Sequence, residues 1–411
     1  MLEIRPFRPD DERFQAILHR GEAADQEISD RVAAILSAVR ERGDAALCEF
    51  SERFDKVPLT PDQLVVREEE FDAAQSAVGE DFVYAVTLAR VNIRKFHEYQ
   101  RRASYMHDDG DGVRLSKRVL PLERVGVCCP AKSAPLFSSL LMNVIPAQVA
   151  GVPHVQAVVP PRADGTVDPH ILVVARMLEI ESVFRVGGAH GVAALAYGTE
   201  TIPAVDTVVG PGNAYVTTAK RQVFGACGID SLAGPSEIVI IADALARARY
   251  VAADLLSQVE HGSGWEAGVV LTPDRELARG IRIELDRQLE QLERREAIGR
   301  SLERYGAIFV CQDLHEAVEA ANRIAPEHLE IIALEGEALV ADVENAGAVF
   351  VGPFSPDPVG DYFAGTNHVL PTGGAARFSS SLSVYDFVKD ISIIEYTPER
   401  LQQTGRHIRS E

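Results

Sequence analysis

The segment EIVIIADALARARYVAADLLSQVEHGSGWEAGVVLT (Glu237–Thr272) decides the fold class of this chain. It begins with the apolar run EIVIIAD and ends with GVVLT, and both runs are rich in Val, Ile or Leu. Strands that are buried on both faces have this continuous apolar character. Between them, ARYVAADLLSQVEHG carries apolar residues at helical spacing. The segment therefore predicts a strand–helix–strand unit of a parallel sheet.

The same alternation continues along most of the chain beyond Gly110. Further predicted strands are RVGVCC, HVQAVVP, SVFRVGG, TVVG, AIFVC, LEIIAL and AGAVFVG, and helices such as SSLLMNVIPAQVAGV and DPHILVVARMLEI separate them. About nine strands are too many for one compact unit, so we predict an α/β protein with two domains. The first hundred residues are predicted to be helical, and residues 275–306 are predicted to form one long, charged surface helix.

Composition restricts the partners and the compartment. The chain has 411 residues and a formal net charge of −20, which argues against a nucleic-acid partner because phosphate binding needs a basic surface. No apolar run approaches the roughly 20 residues of a membrane span, and MLEIRPFRPDDERF has no apolar signal core. The five cysteines include no CxxC pair. Their odd number predicts reduced thiols in the cytoplasm rather than a disulfide framework.

A glycine-rich turn follows one predicted strand, in the segment VVGPGNAYVTTAKRQ. Gly210 and Gly212 allow the backbone to approach a ligand closely, and the helix behind them offers free N–H groups to an anion such as a pyrophosphate. Open α/β sheets bind ligands at the carboxyl ends of their strands, where this turn is predicted to lie. A simple strand–helix turn explains the same residues, and the standard G-x-G-x-x-G fingerprint is absent.

Potential metal ligands occur in two segments. In DLLSQVEHGSGW, Gln258 and His261 are three residues apart and share one face of a helix. An amide oxygen and an imidazole can both bind Zn²⁺, although an ordinary helix end explains the pair equally well. Asp361, in VGDYFAGTNH, would add a carboxylate. Ser236 and Glu237 stand at the mouth of a predicted strand.

An acid and a base are direct neighbours in NRIAPEHLEI, where Glu327 precedes His328. One interpretation is structural: Pro326 opens a helical turn and Glu327 complements the helix dipole. The other is catalytic, in the oxidation of a primary alcohol. One group takes the hydroxyl proton while a hydride leaves for a nicotinamide, and the other activates water on the resulting aldehyde.

Seven segments taken together resemble the histidinol dehydrogenase family: GPGNAYVTTAKRQVFG, AGPSEIVIIAD, DLLSQVEHG, RIAPEHLEI, NAGAVFVGPFSP, GDYFAGTNHVLPT and ARFSSSLSVYDFVK. The resemblance implies a homodimer that oxidises L-histidinol to L-histidine through histidinaldehyde, in histidine biosynthesis, with two NAD⁺ and a required Zn²⁺. It also implies two incomplete Rossmann-like parallel-sheet domains with small helical N- and C-terminal arms. The implied divisions are an N-terminal arm (1–25), a first domain with the substrate, metal and catalytic residues (26–127 with 237–375), a second domain on the dinucleotide side (128–236) and a C-terminal arm (376–411).

The resemblance also implies roles for single residues. His328 would be the base of the alcohol step and would contact the substrate, and Glu327 would activate water for the aldehyde step. Ser236 matches a substrate contact. The implied metal ligands, which also border the substrate, are Gln258, His261 and Asp361. The metal would orient the substrate rather than generate hydroxide.

Three positions match cofactor contacts of the family, and two of them differ in residue type. Asn213 is retained. Cys128, in CCPAK, stands where the family has a tyrosine, and His190, in GGAH, stands where the family has a glutamine. An aromatic contact and an amide are thereby replaced on the nicotinamide side of the predicted site.

The sequence ends at LQQTGRHIRSE, whereas the family continues into a helical tail with a Glu and a His. We therefore expect an open position on the metal that water or substrate fills. Two alternatives are a dehydrogenase of the same family for another primary alcohol, such as a sulfopropanediol, and a metal-binding dimer that has lost catalysis.

Overall fold

The computed structural model describes residues 2–20, 26–131, 135–261 and 264–409. Their strands form a six-stranded sheet, a five-stranded sheet and a three-stranded sheet. The strands are β1 (Ile4–Pro6), β2 (Tyr105–Asp108), β3 (Val113–Pro121), β4 (Arg124–Cys128), β5 (His154–Val158), β6 (Ser182–Phe184), β7 (Thr207–Val209), β8 (Gly228–Ile229), β9 (Glu237–Ala242), β10 (Ala267–Thr272), β11 (Gly306–Val310), β12 (His328–Ile332), β13 (Ala348–Val351) and β14 (Val388–Tyr396).

Helices connect and cover these strands. They are α1 (Glu12–Leu18), α2 (Gln26–Arg42), α3 (Asp44–Phe50), α4 (Glu68–Ala77), α5 (Glu80–Glu98), α6 (Phe137–Ala150), α7 (Pro169–Met177), α8 (Gly188–Tyr197), α9 (Ala214–Val223), α10 (Ala248–Val259), α11 (Arg275–Leu289), α12 (Arg295–Tyr305), α13 (Leu314–Ile324), α14 (Gly336–Leu339), α15 (Asp357–Val359) and α16 (Pro398–Ile408). Among the described residues, no helix combines the length and the apolar character that a membrane crossing requires.

The six-stranded sheet is parallel, in the order β1-β11-β10-β9-β12-β13. Apart from β1 at the edge, the sheet begins with β9, continues outward through β10 and β11, and then adds β12 and β13 on the other side of β9. This reversal is the arrangement of a Rossmann-like half. The predicted strand–helix–strand unit of residues 237–272 is confirmed as β9, α10 and β10, and every residue of both strands is buried.

The five-stranded sheet repeats this plan in the order β6-β5-β4-β7-β8, again with parallel neighbours. Its strand order reverses between β4 and β7. A crevice forms where the crossover helices diverge to opposite faces at such a point. The predicted fold class, an α/β protein with two Rossmann-like parallel sheets, is confirmed.

Apolar clusters cover both faces of each parallel sheet. The division into domains stays a prediction, but the packing of the N-terminal helices bears on it. Val32 and Val39 of α2 share one cluster with Leu195 of α8 and Val208 of β7. Helix α2 therefore packs against the five-stranded sheet.

Both terminal arms contain strands as well as the predicted helices. In the N-terminal arm, β1 joins the edge of the six-stranded sheet beside β11. In the C-terminal arm, β14 pairs antiparallel with β3 over its full length, from Val388 opposite Pro121 to Tyr396 opposite Val113. The antiparallel sheet β14-β3-β2 is mostly exposed. Sequence analysis missed it because its partners are far apart in the chain and have few buried apolar residues.

The predicted single helix over residues 275–306 is wrong, because α11 and α12 are separate helices. The buried side chains of α11 include Leu285, and those of α12 include Ile298. A straight helix turns about 100° per residue and would place Ile298 about 140° around the axis from Leu285. The break between the helices lets both side chains enter the same apolar cluster.

His97 links helix α5 to the loop that contains Asn367. It is fully buried in α5, where its Nδ1 lies 2.8 Å from the carbonyl oxygen of Ile93. Its Nε2 lies 3.3 Å from the side-chain nitrogen of Asn367, which also donates to the carbonyl of Met142. Burial lowers the pKa of His97 below its ordinary value of 6.5.

We expect His97 to make stability fall on acidification. The folded protein holds His97 neutral, so the unfolded chain binds the proton first; this contribution is complete above about pH 6.5 and is lost as the pH falls below it. Between about pH 7.5 and about pH 5.5, the Tm of the wild type should fall more than that of His97→Gln, as measured by calorimetry. The exposed His107→Gln serves as control and should fall like the wild type. Equal falls for all three proteins would contradict the prediction.

Candidate active site

Glu327 and His328 lie at the amino edge of the six-stranded sheet, at the start of β12. The structural alternative, in which Pro326 opens a helical turn, is wrong. Helix α13 ends at Ile324, and its C-cap Ala325 has φ 51°, in the left-handed region. Pro326 then prevents the helix from continuing, as prolines commonly do just after a helix. The chain then enters β12 with the acid and the base adjacent.

The imidazole of His328 is buried and has different neighbours on its two nitrogens. Its Nδ1 lies 3.2 Å from the backbone carbonyl oxygen of Glu237. A carbonyl oxygen can only accept, so Nδ1 carries the hydrogen and Nε2 carries the lone pair in the neutral ring. Nε2 lies 3.3 Å from Oδ1 of Asp357 and 3.7 Å from Oδ1 of Asp361. The basic nitrogen therefore faces two carboxylates.

Glu327 is buried beside the imidazole. Its Oε2 accepts a hydrogen bond of 3.0 Å from the backbone N–H of Glu237 and lies 3.6 Å from Nδ1 of His328. Burial raises the pKa of Glu327 to about 7, against the opposing charge of His328. Burial by itself would lower the pKa of His328, but the surrounding carboxylates, first among them Glu327, raise it to about 9. Perturbed acids and bases of this kind are concentrated at catalytic sites.

The two aspartates come from one short helical segment. Asp357 begins α15 directly after Pro356, and Asp361 lies in the π-helical turn Gly360–Ala364 that follows. Side chains four residues apart lie on the same side of a helix, so both carboxylates reach the imidazole. Sequence analysis named Asp361 and missed Asp357. The signal that could have revealed it is the four-residue spacing of the acids in SPDPVGDY.

Three side chains could hold a metal ion in this arrangement: one ligand atom each of His328, Asp357 and Asp361 lies within 4.8 Å of the others. Nε2 of His328 and Oδ1 of Asp357 are buried, and neither atom has a hydrogen-bond partner among the residues that the structure describes. Imidazole and carboxylate donors suit Zn²⁺ and related divalent ions. The donor set therefore fits a metal, although it shares only Asp361 with the three ligands that the sequence predicted.

The other two predicted ligands lie at the end of α10. Gln258 is buried, and its side-chain nitrogen donates to Oδ2 of Asp357, which leaves its amide oxygen available to a cation. His261 is exposed, and its Nδ1 lies 2.8 Å from the backbone carbonyl of Gln258. That carbonyl accepts a hydrogen, so Nε2 of His261 keeps its lone pair. Gln258 thus contacts Asp357 directly.

Ser236 lies half-buried next to Glu237, at the same amino edge of the sheet. Its backbone carbonyl accepts a hydrogen bond of 3.1 Å from Ala267, at the start of the neighbouring strand β10. The residue is therefore held beside the strand ends that carry Glu327 and His328. This edge is the amino edge, whereas Rossmann-like sheets are expected to bind ligands at their carboxyl edge.

A cleft of about 1160 Å³ opens at the carboxyl end of the five-stranded sheet, where ligand binding was expected. Its walls include the three residues predicted to contact a cofactor, Cys128, His190 and Asn213, and they also include His261. The cleft thus extends from the point between β4 and β7, where the strand order reverses, to His261, three residues after Gln258. A cofactor in the cleft and a ligand at the acid–base pair would be neighbours.

The predicted cofactor residues have defined local roles. Asn213 caps α9, because its side-chain oxygen accepts from the N–H groups of Tyr215 and Val216 at 3.0 and 3.2 Å. His190 is buried, with its Nε2 3.8 Å from Oδ2 of Asp55. Burial raises the pKa of Cys128 to about 12, so this wall of the cleft carries a neutral thiol.

The turn beside the cleft is held by a buried ion pair. Lys220 contacts Asp230 and donates to the carbonyl of Gly210 at 3.0 Å, and Asp230 accepts from the N–H of Gly210 at 2.8 Å. Gly210 has φ 104°, and an added Cβ would collide with the carbonyl oxygen of Cys128. The glycine is therefore required by the close approach of two strand ends. Lys132, the last residue of CCPAK, lies outside the described residues.

Two Rossmann-like sheets, a cleft at one of them and a buried acid–base pair near that cleft define an α/β enzyme. The Histidinol dehydrogenase family model matches residues 18–410. A histidinol dehydrogenase of Halalkalibacterium halodurans is 49% identical over 92% of this chain and 88% of its own length, and one of Geobacillus kaustophilus is 49% identical over 94% and 91%. The crystal structure of histidinol dehydrogenase from Elizabethkingia anophelis superposes with a TM-score of 0.93 at 34% identity, over 100% of this chain and 94% of that one. The chain belongs to the histidinol dehydrogenase family and is an oxidoreductase.

Proposed function

We propose that this protein oxidises L-histidinol to L-histidine through histidinaldehyde, in histidine biosynthesis, and reduces two NAD⁺ for each substrate. Family membership supports the substrate. The observation that carries the proposal is the position of His328: its Nε2 is buried, has no hydrogen-bond partner within the described part of the chain and faces Asp357 and Asp361. A substrate hydroxyl between these groups would meet a base on one side and a metal site on the other.

In the first oxidation, Nε2 of His328 takes the hydroxyl proton of the substrate. The hydrogen on Nδ1 remains bonded to the carbonyl of Glu237, which stabilises the imidazolium that forms. NAD⁺ in the cleft would accept the hydride from the same carbon. Cys128, His190 and Asn213 line that cleft and are proposed to orient the cofactor.

In the second oxidation, Glu327 removes a proton from the water that attacks the aldehyde carbon, and the hydrate that results would give its hydride to the second NAD⁺. The raised pKa of Glu327, about 7, suits proton transfer near neutral pH. Both oxidations take place at one carbon, so base and water activator must reach the same point. The separation of only 3.6 Å between Oε2 of Glu327 and Nδ1 of His328 supports this arrangement.

We propose that Asp361, Gln258 and His261 hold Zn²⁺, with Asp357 orienting the amide of Gln258. The hydrogen bonds described above use Nδ1 of His261 and the amide nitrogen of Gln258. Nε2 of His261 and the amide oxygen of Gln258 are therefore available as metal ligands. A bound Zn²⁺ would orient the amine and imidazole of the substrate, and its charge would offset the carboxylates that raise the pKa of His328. His328 would then be neutral and able to act as a base.

Activity and its dependence on Zn²⁺ are tested together. L-Histidinol should reduce about two equivalents of NAD⁺; dialysis against a chelator should abolish turnover, and added Zn²⁺ should restore it. Asp361→Asn should weaken Zn²⁺ binding by about 10- to 100-fold, measured by calorimetry, because a neutral amide replaces a charged ligand. The exposed Asp10→Asn is the matched control and should bind Zn²⁺ like the wild type.

Other primary alcohols provide the comparison that could overturn this assignment. If a sulfopropanediol is oxidised efficiently and L-histidinol is the poorest substrate of the panel, the substrate proposal is wrong. If no alcohol is oxidised although NAD⁺ and Zn²⁺ both bind, the protein is a binding protein that has lost catalysis.

We further propose that the protein is a homodimer in the cytoplasm. Large apolar side chains are exposed along the C-terminal arm, and contiguous exposed apolar surface commonly marks an interaction site. They include Ile391, Ile394, Tyr396, Leu401 and Ile408. All five cysteines are free, which fits a reducing compartment.

A further inference from the structure

Glu237 connects the acid–base pair to the rest of the protein through both its backbone and its side chain. Its N–H donates to Oε2 of Glu327 at 3.0 Å, and its carbonyl oxygen lies 3.2 Å from Nδ1 of His328. Its carboxylate forms an ion pair with Arg20 and accepts a hydrogen bond from the N–H of Gly373. Glu237 itself is 1% exposed. Neither residue partnering its carboxylate belongs to the six-stranded sheet.

Arg20 reaches this site from the N-terminal arm. It follows α1, and its guanidinium also donates to the carbonyl of Ile17. Phe14 and Ile17 are fully buried in the apolar cluster on one face of the six-stranded sheet. The arginine is 9% exposed, so both charges of the ion pair are withdrawn from water. Separation of the pair would leave a buried carboxylate without its cation, which is strongly unfavourable. The two side chains are therefore held together.

The geometry explains how a side chain can control a neighbouring catalytic pair. Arg20 and Gly373 hold the Glu237 carboxylate from two sides. The peptide groups before and after Glu237 are thereby fixed, and they present an N–H to Glu327 and a carbonyl to His328. The carbonyl determines which nitrogen of His328 carries the hydrogen. A displacement of about 1 Å at a reacting group can cost about 100-fold in rate.

We propose that Arg20 and Glu237 form a positioning pair that holds Glu327 and His328 in their reactive geometry. The proposal rests on the proposed function, because it assigns the effect of the pair to the two oxidation steps. Neither Arg20 nor Glu237 is among the proposed substrate contacts or metal ligands. Loss of the pair should therefore change the rate of chemistry, while binding in the cleft and at the metal ligands is preserved.

The test compares Arg20→Met with the wild type in steady-state kinetics. We expect kcat with L-histidinol to fall by about 10- to 100-fold, while KM for L-histidinol and for NAD⁺ changes by less than about 3-fold. With L-histidinol deuterated at the carbinol carbon, the isotope effect on kcat should increase, because chemistry becomes more rate-limiting. Arg20→Lys, which retains the charge, should recover most of the loss.

Arg13→Met is the matched control. Arg13 belongs to the same N-terminal arm, in α1. It donates to the carbonyls of Glu303 and Arg304, but it contacts neither Glu237 nor the acid–base pair. The variant Arg13→Met should lower Tm without raising the isotope effect on kcat. Glu237→Gln gives a second measurement, and the double variant Arg20→Met with Glu237→Gln should lose no more than the more impaired single variant, because the two residues act as one unit.

Several results would overturn the proposal. They are an unchanged kcat in folded Arg20→Met, a loss of kcat that Arg13→Met reproduces with the same isotope effect, and strictly additive losses in the double variant. If Arg20→Met does not fold, Glu237→Gln decides by the same kinetic criteria. Failure of the wild type to oxidise L-histidinol would instead refute the proposed function.

Discussion

Replacing His328 with Asn should lower kcat for L-histidinol oxidation by about 10³-fold, the largest effect expected of any substitution in this chain. In the proposed mechanism the lone pair on Nε2 accepts the hydroxyl proton, and Asn has no group that can replace it. Asn can still donate to the carbonyl of Glu237, the partner of Nδ1 at 3.2 Å. The strand start should therefore keep its geometry, and Tm should change little.

The matched control is His315→Asn, an exposed histidine that forms an ion pair with Asp342 on the surface. It should retain wild-type kcat. The comparison is made by stopped-flow measurement of NADH in a single turnover, which reports the first hydride transfer directly. A first-turnover rate of His328→Asn within a few-fold of the wild type would exclude His328 as the base of the alcohol step.

Replacing Glu327 with Gln should stop the reaction after the first oxidation. The amide keeps the size of the side chain and can accept the N–H of Glu237, but it cannot take a proton from water. The yield should fall from about two NADH to about one for each L-histidinol in a single turnover, and the second step should slow by about 10²- to 10³-fold. A carbonyl-trapping reagent such as semicarbazide should capture the aldehyde.

Glu319→Gln, an exposed residue of α13, controls for the removal of one carboxylate and should give the full yield. The two variants should be impaired at different oxidation steps. His328→Asn impairs the first hydride transfer, whereas Glu327→Gln permits it and blocks the second. If both variants lose the first transfer equally, the division of roles between acid and base is wrong.

Much of the fold followed from local patterns. All nine predicted strands occur, since continuous runs of Val and Ile are stable only where both faces are covered. The helices between them were evident from apolar spacing. The predicted helix over residues 275–306 failed because its two halves bury faces that a single straight helix cannot align. The antiparallel pairing of β14 with β3 failed because it joins distant, largely exposed segments.

The candidate site was only partly evident. Motifs named Glu327, His328 and Asp361, and the structure places these three together with Asp357, which sequence analysis did not select. Pro326 was ambiguous in sequence, because a proline is compatible with the start of a helix and with its end. The left-handed conformation of Ala325 decides between them, and that conformation depends on how α13 packs.

By itself, the sequence determined the class of fold, the order of its strands and helices along the chain and the adjacency of acid and base, since these depend on side-chain periodicity and on covalent succession. Only the tertiary structure decided which strands are neighbours, that Glu327 and His328 lie at an amino edge, and that Arg20 reaches Glu237 there. These arrangements join residues hundreds of positions apart. Their free energies come from buried contacts and ion pairs, which no local pattern encodes.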